Sequence, residues 1–278
     1  MKWKIVTDSG STVTSLPVAD IAFEIVPLMI NIGPQLFIDN ETMDVERLIQ
    51  AMETSNEVSS SACPSPSAYA QAFQGAENII CFTISSGLSG SYNSAKVARE
   101  MVLESNPNQA IYIFDTFSAG AEMDLYVYKA AELAASGLSF EEVLAGLEAY
   151  RQHTDISFML ESVDNLVKNG RISKLVGSMI GLLGIRLIGQ KTAEGKIELA
   201  NKSKGTKRAM KSVAEEMMKK GYHGGRVIVC HCDNQEAVDM LQENLAAQFA
   251  EAKVESVKMN GLCSFYAQRH GLIVGYEK

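Results

Sequence analysis

Short apolar runs alternate with helical patterns along the first half of the chain. "KWKIVTD", "NIICFTIS" and "AIYIFD" have the length and composition of buried strands, and a further extended run, "FEIVPLMIN", precedes a turn at Asp39 and Asn40. Helical spacing is found in "DVERLIQAME", "SGSYNSAKVAREMVLES" and "AGAEMDLYVYKAAELAASG", and Ser65 with Pro66 is typical of the start of another helix. This alternation predicts a mostly parallel sheet with helices on both faces.

The pattern changes near residue 155. A strand-like run, "ISFMLES", is followed by "IRLIGQ" and "KIELANK" on either side of the turn "KTAEG", which contains Gly195. Later strand-like runs are accompanied by helical spacing around residues 206–220 and 234–250. We therefore expect an N-terminal α/β domain over residues 1–155 and a C-terminal α+β domain, which contains a hairpin, over residues 156–278.

Composition narrows the class of protein. Of the 278 residues, 46% are hydrophobic and 21% are charged, which is a globular balance. The formal net charge of −8 argues against a nucleic-acid partner, and no apolar stretch reaches the roughly 18 residues of a membrane span. Because no secretory signal is recognisable and the five cysteines do not pair by spacing, we expect a cytoplasmic protein with reduced thiols.

Cys230, His231 and Cys232 are the only residues whose types suggest a metal site. They lie in the run "RVIVCHCD", where the two cysteines of a strand point to one face and the histidine to the other. Zinc requires four converging ligands, so we interpret the run as an ordinary strand and expect no metal.

The stretch "TISSGLSGSYNSA" (83–95) is rich in hydroxyl groups and follows a predicted buried strand. Three interpretations are open: an anion-binding turn at a helix start, a serine nucleophile, or a plain N-capped helix. A nucleophile elbow has the form G-x-S-x-G, but Ser91 stands where its last glycine belongs. The strand ends "VTDSGS" and "FDTFSAG" are equally polar, and parallel strands would bring all three ends to one edge, which favours anion binding.

Five motifs together resemble those of the bacterial DegV family. They are, in order, "VTDSGS", "SSACPSPSAY", "ISSGLSGSYNSA", "FDTFSAGAE" and "ESVDNLVKNGRIS". The resemblance runs from residue 4 to the C-terminus and is strongest up to about residue 175. It implies the DegV-like fold, in which an N-terminal parallel-sheet α/β domain and a C-terminal α+β domain hold a lipid between them.

The function that the resemblance implies is binding and not catalysis. A long-chain fatty acid would be the ligand, with no other cofactor. A separate fatty acid kinase subunit would phosphorylate the presented carboxylate, and the acyl phosphate would feed phospholipid synthesis.

The resemblance also implies where the carboxylate lies. Ser61 stands where the family usually has a threonine, Arg171 matches an arginine of the family signature, and Asp8 is expected to support a nearby helix or serine. The matching loop residues are Ser85, Ser86, Gly87, Ser89 and Gly90. Arg171 has an alternative interpretation, as a structural residue that ties helix ends together.

Some positions depart from the family pattern. Tyr266 takes the place of the usual histidine, and Lys204 takes that of an arginine after the hairpin. The apolar stretch Leu175–Ile188, in which glycines alternate with methionine and leucine, is expected to form a wall for the acyl chain. Two alternatives therefore stay open: a serine hydrolase of acyl esters that uses Ser89, and a divergent lipid sensor without a kinase partner.

Overall fold

A computed structural model of the chain describes residues 2–173 and 184–278. Its strands are β1 (Trp3–Asp8), β2 (Ile21–Val26), β3 (Met29–Ile32), β4 (Gln35–Ile38), β5 (Ser59–Ala62), β6 (Asn78–Thr83), β7 (Ala110–Asp115), β8 (Thr154–Leu160), β9 (Ile185–Lys191), β10 (Ile197–Lys204), β11 (Val227–His231), β12 (Val254–Lys258) and β13 (Leu272–Glu277). Its helices are α1 (Val45–Thr54), α2 (Pro66–Ala72), α3 (Ser91–Ser105), α4 (Ala121–Ala135), α5 (Phe140–Arg151), α6 (Asp164–Lys168), α7 (Thr206–Lys219), α8 (Gln235–Ala246) and α9 (Gly261–Ala267).

The predicted parallel sheet is confirmed. Its strand order is β2-β1-β6-β7, and every neighbouring pair is parallel. Helix α4 packs on one face, where Ile5 and Phe82 join the buried Tyr126, and α2 and α3 cover the other. The N-cap of α2 is Ser65, whose hydroxyl accepts a hydrogen bond from the backbone of Ala68, and Pro66 begins the helix.

The extended run predicted over "FEIVPLMIN" is divided between two strands of different sheets. Strand β2 ends at Val26, and β3 begins at Met29 in a separate three-stranded antiparallel sheet of order β4-β3-β5. Pro27 lies between them and has no N–H to donate, so the ladder of the parallel sheet cannot continue through it. The chain crosses over with the backbone N–H of Leu28 donating to Ser9 Oγ at 3.0 Å.

A six-stranded sheet is built from residues 154–277, in the order β10-β9-β8-β13-β11-β12. All neighbours are antiparallel except β11 and β12. The predicted hairpin is confirmed as β9 and β10. Helix α9 belongs to the same part of the chain but packs on α1 and β3, so the two-domain division at residue 155 stays a prediction.

The Cys-His-Cys run lies on β11 and just after it, as predicted for an ordinary strand. The thiol of Cys230 is 3.3 Å from Thr12 Oγ1, whereas His231 Nδ1 accepts the backbone N–H of Asn234 at 3.0 Å. The described part of the chain contains no cluster of three or more His, Cys, Asp or Glu side chains placed to hold a metal.

Candidate functional site

A largely apolar cavity lies between the carboxyl ends of the parallel strands and the inner face of the six-stranded sheet. The empty space in and in front of it, which includes open solvent at the mouth, is about 910 Å³. Its apolar lining includes Ile84, Leu88, Ile156, Phe158, Leu160 and Ile273. Of the predicted acyl-chain wall, residues 175–183 lie outside the described residues, and Leu187 is buried close to the cavity.

The three polar strand ends meet, as the sequence predicted. The carboxylate of Asp8 accepts backbone N–H groups from Gly10 at 2.9 Å and from Ile84 at 3.0 Å, which ties the end of β1 to the end of β6. Thr116 Oγ1 donates to the carbonyl of Thr83 at 2.7 Å and joins β7 to the same edge. The cavity opens beside this edge.

The serine loop after β6 is held by its own side chains and by a distant hairpin. Ser85 Oγ accepts the backbone N–H of Gly87 at 3.1 Å and donates to the carbonyl of Gly195 at 2.7 Å. The backbone N–H of Ser91 donates to Ser89 Oγ at 3.2 Å, so a loop hydroxyl satisfies one of the free N–H groups at the start of α3. The loop therefore has a defined shape before any ligand is bound.

Four predicted site residues come together at the cavity wall: Ser61, Ser89, Arg171 and Tyr266. The hydroxyls of Ser61 and Tyr266, 205 positions apart in the chain, are 2.7 Å apart and hydrogen-bonded. The guanidinium carbon of Arg171 is 6.0 Å from the centre of the Tyr266 ring, and Arg171 Nε donates to the carbonyl of Leu88 at 3.1 Å. These four residues thus combine three hydroxyl groups with one guanidinium group.

The other predicted loop residues lie beside the cavity and not in its described lining. The hydroxyl of Ser85 is fully buried and bonded to the hairpin. Ser86, Gly87 and Gly90 are exposed, and the backbone N–H of Ser86 donates to Asp115 Oδ1 at 3.1 Å. Their roles as ligand contacts stay predictions.

The tip of the β9–β10 hairpin closes over the serine loop. Gly195 has φ +69°, and a Cβ at this position would lie 2.2 Å from Ser85 Oγ and 2.7 Å from Phe117 Cα. Lys196, next to this glycine, lines the cavity. Spacing predicted the turn, but nothing in a single sequence indicates which loop the turn contacts.

Asp8 was expected to support a nearby helix or serine, and its carboxylate instead binds the backbone at two strand ends. Burial raises the pKa of its carboxyl from 3.8 to about 6, and the backbone hydrogen bonds of Ile84 and Gly10 oppose that rise. The hydroxyl of Tyr69 also donates to it at 3.3 Å. The carboxylate is thus occupied in holding the strand ends together.

Comparison with known proteins shows the family. A model of the DegV family matches residues 2–276. The chain belongs to the DegV family. A DegV domain-containing protein of Streptococcus pyogenes serotype M1 is 45% identical over 279 residues, which cover 100% of both chains.

Solved DegV structures share the fold. The Fatty Acid Kinase (Fak) B3 protein of Streptococcus pneumoniae, crystallised loaded with linoleic acid, has a TM-score of 0.97 and 43% identity, covering 100% of this chain and 99% of that one. A DegV family protein from Eubacterium eligens, loaded with heptadecanoic acid, has a TM-score of 0.95 and 32% identity, covering 99% of each. The predicted DegV-like fold class is confirmed.

The hydrolase alternative lacks a histidine base in the described part of this DegV protein. All four histidines, His153, His223, His231 and His270, belong to the described residues, and none of them lines the cavity. The hydroxyl of Ser89 is 3.0 Å from Ser91 Oγ. A serine nucleophile needs a base within hydrogen-bond reach, and no such histidine is found in residues 2–173 and 184–278.

Sequence reasoning missed several polar residues in the cavity lining, among them Ser118, Gln190, Lys191 and Lys196. Ser118 is 3% exposed, and its hydroxyl has no hydrogen-bond partner among the described residues. Lys191 lies 2.6 Å from the fully buried carboxylate of Glu122. The motif "FDTFSAG" places Ser118 at a polar strand end, whereas no pattern in the sequence indicates the ion pair between Lys191 and Glu122.

Residues 2–173 and 184–278 contain no helix that combines the length and the apolar character needed to cross a bilayer.

Proposed function

We propose that this DegV protein binds one long-chain fatty acid, with the acyl chain in the apolar cavity and the carboxylate beside Ser61, Ser89, Arg171 and Tyr266. The observation that carries the proposal is a single cavity in which a long apolar wall meets a small cluster of hydroxyls and one guanidinium. The crystallised relatives described above are loaded with fatty acids, which supports the choice of ligand.

The apolar wall supplies the affinity. A chain of about 15 methylenes at about 0.8 kcal/mol each offers roughly 12 kcal/mol of gross burial. Association and ordering costs consume several kcal/mol of this, and a net free energy of about −8 kcal/mol or better corresponds to micromolar or tighter binding. The polar end therefore needs only to position one carboxylate.

The polar end has the donors for that task. In the hydrogen bond between Ser61 and Tyr266 one hydroxyl donates to the other, so one of the two protons remains free for a ligand oxygen. The guanidinium of Arg171 supplies positive charge beside them, and hydrogen bonds between charged partners are about twice as strong as neutral ones. Tyr266 can thus take over, as a donor, the place that a histidine has in the family.

We further propose that the protein presents this carboxylate to a separate fatty acid kinase subunit and does no chemistry itself. The similar Streptococcus pneumoniae protein carries the name of a fatty acid kinase component. Phosphoryl transfer requires nucleotide, Mg²⁺ and cations around the transferred group, which the partner would provide. Because the partner uses ATP, we place the protein in the cytoplasm, where the acyl phosphate would enter phospholipid synthesis.

Solvent extraction of the purified protein, followed by mass spectrometry, tests the proposal. We expect about one C14–C18 fatty acid per chain, and a large loss of it in the double variant Ser61→Ala/Ser89→Ala. Ser105→Ala is the matched control, because this serine is exposed at the end of α3, away from the cavity. Well-folded wild-type protein without any fatty acid would contradict the proposal.

A further inference from the structure

Strand β9 has a glycine where the neighbouring strand carries a phenylalanine. Gly189 and Phe158 are register partners on β9 and β8. A Cβ built on Gly189 would lie 2.1 Å from Phe158 Cζ and 2.2 Å from Phe158 Cε2. The ring of Phe158 therefore occupies the space that any other residue at position 189 would fill with its side chain.

The same ring forms part of the cavity wall. Phe158 is 7% exposed and lines the cavity together with Ile156 and Leu160, because alternate residues of a strand share one face. Its register partner on the other side, Ile273 of β13, lines the cavity as well. How close the ring lies to the sheet thus decides how much width remains for a ligand.

We infer that Gly189 and Phe158 together set the width of the acyl cavity and so select among acyl chains by their shape. This inference rests on the proposed fatty-acid function. Non-bonded carbon atoms prefer separations of about 3.5–4.0 Å, so a methyl group at position 189 forces the ring to move by more than about 1 Å.

Because Phe158 lines the cavity, a ring that the methyl group pushes away from the sheet moves toward the cavity. Gly189 lies on the cavity face of β9, and the carbonyl oxygen of Glu198 would be 2.7 Å from the same Cβ, so the methyl group cannot retreat toward β10. A cis double bond bends an acyl chain and increases the width that it needs. The glycine therefore gives bent chains the room that a straight saturated chain does not require.

Competition among three C18 acids tests this selection directly. Delipidated wild type, Gly189→Ala, Phe158→Leu and the double variant are each loaded with equal amounts of stearic, oleic and linoleic acid, and the retained acids are quantified by mass spectrometry. We expect Gly189→Ala to shift the ratio of unsaturated to saturated acid toward stearic acid by roughly tenfold, the scale of a misfit of one methylene in an apolar pocket.

The other two variants provide the controls. Phe158→Leu should shift the ratio in the opposite direction, and the double variant should return it close to the wild-type ratio, since the smaller side chain makes room for the methyl group. If Gly189→Ala fails to fold, as judged by circular dichroism, the comparison of Phe158→Leu with wild type decides the question.

The outcomes separate this inference from the proposed function. Wild-type protein that retains no acid would overturn both. If wild type retains acid but Gly189→Ala or Phe158→Leu retains the same ratio of unsaturated to saturated acid as wild type, the inference about cavity width is overturned and the proposed function is not. A double variant that behaves like Gly189→Ala would show that the ring is not the group that the methyl displaces, and would also overturn it.

Discussion

Single polar groups at the strand ends have different tasks, although the sequence makes them look alike. Asp8 is fully buried and holds the backbone of Gly10 and Ile84. Ser89 lines the cavity, whereas the neighbouring Ser85 is used to bind the hairpin. A motif can therefore identify a polar edge, but it does not show that the hydroxyl of Ser85 bonds to a hairpin 110 positions away.

Asp8 should make stability depend on pH in a direction opposite to that of a salt-bridged carboxylate. Its pKa is about 6 in the folded protein and 3.8 ordinarily, so its contribution to the free energy of unfolding is fully present below pH 4 and is lost as the pH rises through about 6. Asp8→Asn removes this titration. We expect the stability of wild type relative to Asp8→Asn to be greater at pH 4 than at pH 7 by about 2–3 kcal/mol.

Urea denaturation of both proteins at the two pH values measures this difference. The variant itself should be less stable than wild type at both, because its amide NH₂ faces a backbone N–H that a carboxylate oxygen accepts in the wild type. A stability difference that does not change with pH would contradict the assigned pKa.

We expect the buried hydroxyl of Ser118 to destabilise the delipidated protein. A buried hydroxyl without a partner is unfavourable by about 1–3 kcal/mol. In delipidated protein we therefore expect Ser118→Ala to be more stable than wild type by about 1 kcal/mol in thermal or urea unfolding.

Ser94 offers the matched comparison for Ser118. It is also buried, but its hydroxyl donates to the carbonyl of Pro64 at 2.6 Å. Ser94→Ala should therefore lower the free energy of unfolding by about 1 kcal/mol, whereas Ser118→Ala should raise it. Two variants that destabilise the delipidated protein equally would show that the hydroxyl of Ser118 has a partner.

At the scale of whole elements, sequence patterns predicted the strands and helices that are long and strongly apolar. The parallel strands, the long helices and the β9–β10 hairpin are all of this kind. Strand β5 was missed because its sequence, "SSSA", has little strand preference and pairs with β3 only in the folded chain. Helix α9 is as short as α2 but lacks the proline that marks the start of α2, and its first N–H groups are bound by Asp39, more than 200 positions earlier.

The hairpin tip should control how firmly the cavity is closed. Gly195→Ala places a Cβ against Ser85 and Phe117 in addition to the strain at φ +69°. We expect the variant to release bound fatty acid to acceptor vesicles faster than wild type, by roughly tenfold for a contact loss of about 1.4 kcal/mol. A stopped-flow assay with a fluorescent fatty acid measures the rate.

Gly137→Ala is the control that separates the effect of backbone strain from the effect of the lost contact between the hairpin and the serine loop. Gly137 has φ +82° in the turn between α4 and α5, and nothing lies within 4 Å of its Cβ position. This variant should lose stability from backbone strain but should release fatty acid at the wild-type rate. Equal release rates for Gly195→Ala and wild type would contradict a closing role for the hairpin.

At the scale of the whole molecule, the site exists only because distant parts of the chain meet. The cavity wall combines strand ends of the parallel sheet, the face of the six-stranded sheet and helix α9. The resemblance to the DegV family indicated Ser61 and Tyr266, but spacing alone could not show that their hydroxyls bond to each other. The contact between Gly189 and Phe158 could not be predicted from the sequence, since nothing in the sequence shows which side chain occupies the space beside a glycine.

A crystal structure of the protein with bound palmitic acid is the most direct test of fatty-acid binding in this cavity. We expect one acid there, with its carboxylate within hydrogen-bond distance, about 2.5–3.2 Å, of at least one of the hydroxyls of Ser61, Ser89 and Tyr266. The acyl chain should run over Ile156, Phe158 and Leu160. A carboxylate at the opposite end of the cavity, or an acid bound elsewhere on the protein, would contradict it.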